Sequence, residues 1–426
     1  MGPYQHPATE NGPVDTNEFQ TKEILYDGYH YDVTTFARRH PGGREILYYF
    51  TEAGEDATIP IQQFHGRAIE KVHGIMKSLK RRPAKEIPDN CVDEETKKNR
   101  ALTEDFTKLY LELKAEGLFE PSYIHVTYRI AEILGLAALG YYLLTRFTST
   151  WIKFLGCFIF SMAQGRVEWV QHEAGHFSMT GIPKFDRLIQ TYLVGILMGW
   201  SGIFWRRHHN LHHAMTQRVH RDVDIDFTPI FLTNKEALED PIKDQTFTLR
   251  NQVYFGPFLG ITAGFYVLLW ETGKCLLKYR IGAEFIAVGI HYVVAYQIGV
   301  WPWILSHIML SIYLSTNFAL SHTHLPVTNK PTHWVEHGLV HTADIEQRPW
   351  CDWWMGYLNY QIEHHLFPTM PQFRNRLAVD RVRALAEKHG LPYHVFSYKE
   401  AVMKTVRNAA EVGNELKSLY ENKCQQ

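Results

Sequence analysis

The chain has 426 residues, with Lys+Arg 44 against Asp+Glu 45 and a formal net charge of -1, a balance that offers no basic face for nucleic acid. That length exceeds what one hydrophobic core usually organises, so two domains or a membrane-embedded body are expected. The five cysteines (Cys91, Cys157, Cys275, Cys351 and Cys424) are scattered without a CxxC pair, which argues against a disulfide framework and a thiolate-held metal and leaves imidazole, from 24 histidines, as the expected ligand.

Residues 1–20 are polar, rich in Pro, Gly, Asn and Thr, and lack an apolar signal region; they read as a disordered lead with a cytosolic N-terminus. Residues 21–80 read as one small soluble domain, strand-like in ILYDGYHYDV and then helical in period. The charged, proline-containing stretch 81–100 reads as a linker, followed to residue 120 by a pre-membrane helix. The main body is expected at 121–400 and a C-terminal tail at 401–426.

Within the small domain, His40-Pro41-Gly42-Gly43 makes a tight turn that can present an imidazole to a cofactor, and Phe64-His65 supplies a second one. The segment from 29 to 68 resembles cytochrome b5. The resemblance implies an α+β fold clamping haem b between His40 and His65, with His73 as the alternative to His65. Two axial imidazoles leave no open position at the iron, so such a module carries electrons and does not bind oxygen.

Six apolar runs follow, at 126–144, 154–163, 188–205, 254–270, 285–300 and 303–320. A bilayer-spanning helix needs about 20 predominantly apolar residues, and six such runs with aromatic flanks exceed what one soluble core requires. Between and after them lie three histidine clusters: VQHEAGHFSM at 170–179, WRRHHNLHHAM at 205–215 and LNYQIEHHLFPTM at 358–370. Residues three and four apart share a helix face, so His172 pairs with His176, His209 with His212 and His213, and Gln361 with His364 and His365.

The first cluster alone fits H-E-x-x-H, the zinc protease helix. Seven histidines at ligand spacing exceed the four ligands of a tetrahedral zinc and suit a site for two metals. His322, at the end of the run 303–320, is a further candidate, with His324 and Asn317 beside it; His333, His337 and His341 read as loop residues or as residues that orient ligands. If all clusters share one centre, the number of crossings between any two must be even. That leaves 188–205 and 254–270 interfacial or re-entrant, a turn at Trp301-Pro302-Trp303, and four crossings at about 124–145, 149–169, 283–300 and 303–321. Zinc has no redox chemistry, so an electron-carrying module beside this site argues against hydrolysis.

HEAGH, HNLHH and QIEHH, together with WCDWWMGYLNYQIEHHLFPTMPQ at 350–372, are similar to the motifs of the front-end fatty acyl desaturases, over about residues 21–400. Gln361 in place of histidine is typical of that group, and Glu173 stands where Asp is common. The resemblance implies an N-terminal cytochrome b5-like α+β domain, then an all-α integral membrane desaturase domain with four transmembrane helices and a cytosolic helical cap. It implies two non-haem iron ions held by His172, His176, His209, His212, His213, His364 and His365, with His322 and Gln361, while Glu173 orients an imidazole. A cis double bond (delta-5 or delta-6) enters between an existing one and the carboxyl end, with O2 as oxidant, on a fatty acyl-CoA or a phospholipid-bound chain. No Gly-rich dinucleotide fingerprint is present, so electrons are expected from NADH-cytochrome b5 reductase, at the endoplasmic reticulum membrane. The alternatives are a b5-fused fatty acyl or sphingolipid hydroxylase/desaturase and, more distantly, an intramembrane zinc protease using HEAGH.

Overall fold

The computed structural model describes residues 21–85, 92–228 and 231–424; the expected disordered lead and Cys91 lie outside the described residues. The N-terminal module is built on three antiparallel strands, β1 (Glu23–Tyr26), β2 (Tyr29–Asp32) and β3 (Arg81–Pro83). Asp27-Gly28, both at positive φ (48° and 72°), joins β1 to β2 by the two-residue turn that matches strand twist. Between β2 and β3 run α1 (Arg44–Ala53), α2 (Thr58–Phe64) and α3 (Ile69–Ser78). Leu47, Phe50 and Met76 from these helices close a core with Ile24, Tyr26, Tyr31 and Val33.

The stretch expected to be a linker is partly structured at both ends. β3 pairs with β2 (His30↔Arg82), which carries the module past residue 80. Further on, α4 (Glu94–Ala115) begins because Asp93 accepts the Thr96 N–H at 2.7 Å and Glu94 and Glu95 complement the helix dipole in the first turn. Its apolar stripe, Leu102, Phe106, Leu109 and Leu113, starts only two turns later, so periodicity alone hides the helix start.

In α5 (Tyr123–Arg146) and α6 (Thr150–Gly175) the backbones approach so closely that a Cβ on Gly140 would sit 2.8 Å from the Phe160 nitrogen. The next helix, α7 (Pro183–Leu193), continues through a π-helical turn at Val194–Met198, and the chain then bends by 110° into α8 (Gly202–Met215), with Gly199 at φ 71° in the break. The apolar run 188–205 is therefore broken in its middle. A short hairpin, β4 (Asp226–Phe227) with β5 (Phe231–Leu232), precedes α9 (Phe247–Arg250), α10 (Gln252–Tyr266) and α11 (Thr272–Tyr279).

The helices α12 (Gly282–Ile298) and α13 (Val300–Phe318) meet at Gly299, φ 93°. The turn thus precedes Trp301-Pro302-Trp303, where it was expected; Pro302 falls in the first turn of α13, where a backbone N–H has no helical partner. Helices occupy all four segments expected to cross a bilayer. Among described residues Val300–Ser321 alone is long and apolar enough to do so by composition, with mean hydropathy 1.3, and Gly282–Ile298 is apolar but shorter. The chain of α5 and α6 is diluted by Arg129, Glu132, Arg166 and Glu168, which face into the protein or pair there.

The remainder forms a helical cap: α14 (Trp334–Val340), β6 (Asp344–Ile345), α15 (Pro349–Trp354), α16 (Gln361–Leu366), α17 (Val379–Lys388), β7 (Val395–Phe396) and α18 (Tyr398–Cys424), with β7 parallel to β6. The residues expected as a tail belong mostly to α18, whose Ala401 and Leu416 are fully buried.

The N-terminal module docks on α8, with Ala214 and Met215 entering its hydrophobic core. A buried ion pair fastens the joint: Arg218 donates to Glu55 at 2.6 Å, with side chains 3% and 8% exposed. Glu55 also accepts from Tyr49 Oη at 3.0 Å and from the Thr332 N–H at 3.2 Å. Arg218→Ala leaves Glu55 buried without its counter-charge and is expected to destabilise the docked state by about 3–5 kcal/mol. Thermal unfolding of the purified protein checks this; an unchanged midpoint would show that the pair does not hold the module.

Candidate metal centre

Three helix ends and one turn bring the histidines together. α6 closes with His172 and with His176 at its C-cap. α8 begins where Ser201 accepts the Phe204 N–H at 3.2 Å and Glu284 accepts the Ile203 N–H at 3.0 Å, which aims its later turns at the same place. α16 is set by Asp344, whose carboxylate accepts the Ile362 N–H at 2.9 Å. His322 follows the 3-10 turn Ala319–Ser321 after α13.

The eight imidazoles sort into two groups. His172, His176, His209, His213 and His364 offer ring nitrogens that all lie within 4.8 Å of one another, and so do His212, His322 and His365; every member is buried. Successive residues on a helix point about 100° apart, so each His-His doublet is divided: His213 and His364 enter the first group, His212 and His365 the second. The groups touch through His213 and His365, whose rings stack at 4.2 Å.

The donor set fits a metal on its own chemistry. His213 Nε2 lies 2.9 Å from both His209 Nε2 and His364 Nε2, a convergence that hydrogen bonds among neutral rings cannot all satisfy. Adjacent imidazole ligands each about 2.1 Å from one ion sit about 3 Å apart. Burial holds His209, His213, His364 and His365 well below the usual imidazole range and His322 at about 3, which keeps them in the neutral ligand form. His212 is pushed up to about 9, because Asp222 and Asp224 outweigh its burial.

Three of the outer nitrogens are held by acceptors, of which sequence reasoning named His341 and missed Asp222, Asp224 and Gln372. Asp222 accepts from His212 Nδ1 at 2.9 Å and Asp224 lies 3.3 Å away. The His341 carbonyl accepts from His322 Nδ1 at 3.1 Å. Gln372, with its amide oxygen toward His172, accepts the Nδ1–H at 2.6 Å and donates to the Gly356 and Trp169 carbonyls. For His172 and His322 this leaves Nε2 with the lone pair, and His212 frees its own on losing a proton to a metal. The acidic run RDVDID after the second cluster was the available signal for the two aspartates. Glu173 works at one remove from the role expected of it: its carboxyl takes the backbone N–H of Gln372, whose side chain holds His172.

Other candidates fall as follows. Gln361 Nε2 lies 3.2 Å from His322 Nε2 and 3.4 Å from His365 Nε2, at the edge of the second group. Asn317 bonds Tyr313 and Tyr398, and His324 packs on Phe396, so neither joins a group. His333 bonds Thr103, and His337 bonds the Thr216 carbonyl.

In the N-terminal module the rings of His40 and His65 face each other with centres 6.1 Å apart. Two imidazoles bound end-on to one iron at about 2 Å each would have centres about 6 Å apart, so the pair fits a haem. Gly43, at φ 102°, turns its carbonyl onto His40 Nδ1 at 2.9 Å, so that Nε2 is the ring nitrogen left for a ligand. His73, the alternative ligand, is engaged by Tyr26 Oη at 3.1 Å. Phe64, next to His65 in sequence, packs edge-on with His213, ring centres 6.1 Å apart, so the N-terminal module touches the first histidine group.

Residues 149–397 match the family model for fatty acid desaturases, and residues 17–87 match that for cytochrome b5-like haem/steroid binding domains. The chain is similar to an acyl-lipid (8-3)-desaturase of Rebecca salina (38% identical, covering 96% of both chains) and to one of Thraustochytrium sp (36%, 96% of both). It is also similar to fatty acid desaturase 3 of Homo sapiens (26% identical, covering 97% of this chain and 96% of that one).

Asp222→Ala is expected to weaken metal binding about 10–100-fold through loss of the His212 orientation. Titration of the iron-loaded protein with a chelator, with haem absorbance as the folding control, measures it; unchanged retention would remove Asp222 from the site.

Proposed function

The chain belongs to the fatty acid desaturase family and is a front-end desaturase with a cytochrome b5-like domain in the same polypeptide, and from that premise we propose how its residues divide the work. The overall reaction removes two hydrogens from adjacent methylenes between an existing double bond and the carboxyl end, leaving a cis double bond while O2 is reduced to water.

His172, His176, His209, His213 and His364 would hold one iron, and His212, His322 and His365, with Gln361, a second. When bound, the irons supply the O2 chemistry and the oxidising power for hydrogen removal from an unactivated methylene. The protein's part is to orient these imidazoles through Asp222, Asp224, Gln372 and the His341 carbonyl in a space closed to bulk water; burial keeps most of them neutral, while His212, which the two aspartates hold protonated, gives up a proton on taking a metal. His40 and His65 would hold haem b, which passes single electrons, and Phe64, next to His65 in sequence, packs on His213. NADH-cytochrome b5 reductase would supply them from outside the chain. The sorting of eight buried imidazoles into two groups carries this reading.

We place the histidine groups on the cytosolic side of the endoplasmic reticulum membrane, crossed by α5, α6, α12 and α13. Leu134, Leu139, Ile286, Val293 and Ile312 expose apolar side chains along three of these helices, and Trp151, Tyr296 and Trp301 stand exposed where both hairpins turn, as at a far interface. Two relatives matched over nearly their whole length are named acyl-lipid (8-3)-desaturases, and we carry both parts of that name over: a lipid-bound acyl chain, in place of acyl-CoA, and the (8-3) position.

Expression in yeast fed separate polyunsaturated acids tests this, with product double bonds located by mass spectrometry. One new cis bond on the carboxyl side of an existing one is expected; hydroxy acid as the main product would favour the hydroxylase instead. His40→Ala is expected to abolish the haem spectrum and at least about 90% of activity while non-haem iron stays bound. Full activity without added cytochrome b5 would remove the fused module as donor.

A further inference from the structure

Beside the metal centre lies a cluster of buried donors that nothing above employs. Arg129 is 2% exposed, and all three of its guanidinium nitrogens are buried without a hydrogen-bond partner. One helical turn earlier on α5, His125 Nε2 is likewise buried and unpartnered. The two share walls: Phe373 stacks on His125 at 4.3 Å, and Tyr357 lies 5.7 Å from His125 and 5.9 Å from the Arg129 guanidinium.

The nearby acids do not fill this role. Glu132 is taken by Arg166 at 3.1 Å and by Trp353 Nε1 at 2.7 Å. Glu173 attracts Arg129 electrostatically but makes no hydrogen bond to it, its carboxyl taking the Gln372 backbone N–H. A buried guanidinium whose hydrogen bonds are all unmade is costly, and guanidinium has donors only. The missing partner must therefore bring acceptors.

The position of the cluster says which acceptors. Phe373, against His125, follows Gln372, whose side chain holds His172 of the first metal group. A delta-5 or delta-6 reaction works about four to six bonds from the acyl carbonyl carbon, which at about 1.2 Å per bond of extended chain puts that carbon about 5–7 Å from the reacting carbons. An enzyme of this kind must accept a polar group one residue-layer from its metals. We propose that Arg129 and His125 form the carbonyl-binding site that anchors the carboxyl end of the acyl chain and so sets the count to the reacting carbons. The inference rests on the front-end desaturase reading, and it applies equally to the ester of a glycerolipid and the thioester of CoA, which share that carbonyl oxygen.

Binding to the iron-free, full-length protein tests it without any double bond being formed, so failure of the desaturase reading, seen in the yeast products, remains a separate result. The probes are a radiolabelled polyunsaturated phosphatidylcholine and its ether analogue, which lacks the carbonyl, and in a second arm the acyl-CoA and its alkyl thioether. Wild type is expected to prefer the carbonyl-bearing probe by about tenfold or more, the effect of a hydrogen bond to a charged group. Arg129→Gln should bind both members of a pair equally, and Arg129→Lys should keep part of the preference. The arm that shows the Arg129-dependent preference identifies the carrier. His125→Gln repeats the comparison should Arg129→Gln lose its cooperative thermal unfolding and hence its fold. No preference in wild type in either arm, or an undiminished preference in the folded Gln variant, overturns the proposal.

Discussion

Buried imidazole lone pairs that face one another are the constraint from which most of this architecture follows. His209, His213 and His364 converge at 2.9 Å, and rings this close cannot satisfy themselves by mutual hydrogen bonds. Around them the chain fixes the outer nitrogens of His172, His212 and His322 with acceptors and makes α6 buried on every side from Phe160 to Gly175, polar residues included. Trp205 and Gln171 both donate to Glu168 at 2.8 Å within this layer, one turn before His172. The bend after Val194–Met198 belongs to the same requirement, since it returns α8 to the end of α6 instead of letting the apolar run continue straight.

Much of the site was legible because most of its candidate ligands sit at or near helix ends at spacings of three and four. The division of the two doublets was implicit in the same periodicity: neighbouring residues on a helix cannot serve one ion from one direction. What holds the ligands was mostly hidden: His341 was named as an orienting residue, though its part is played by its carbonyl, while Asp222 and Gln372 act through tertiary contacts with no sequence period. The fold was less legible where composition misleads. A capped helix start at Glu94 looks like charged linker, and α18 looks like a tail because most of its face is polar. The helices α5 and α6 dilute their apolarity with arginine and glutamate that turn inward, so composition by itself understates their length as apolar elements.

Fusion of the N-terminal module has a consequence beyond convenience. A tethered donor acts at an effective concentration set by its linker, and here a buried ion pair and a shared apolar core hold it in place as well. His65 and Phe64 are adjacent in sequence, so the docking that puts Phe64 on His213 also fixes the haem-side imidazole relative to the metal centre. The joint thereby couples the stability of the interface to the electronic proximity of the two sites.

The division of the imidazoles is best tested by anomalous diffraction at the iron edge from crystals of the iron-loaded full chain. Apart from the haem peak between His40 and His65, the account requires one peak enclosed by His172, His176, His209, His213 and His364 and a second between His212, His322 and His365. A single peak serving all three histidine segments, or density lying away from either group, would contradict it.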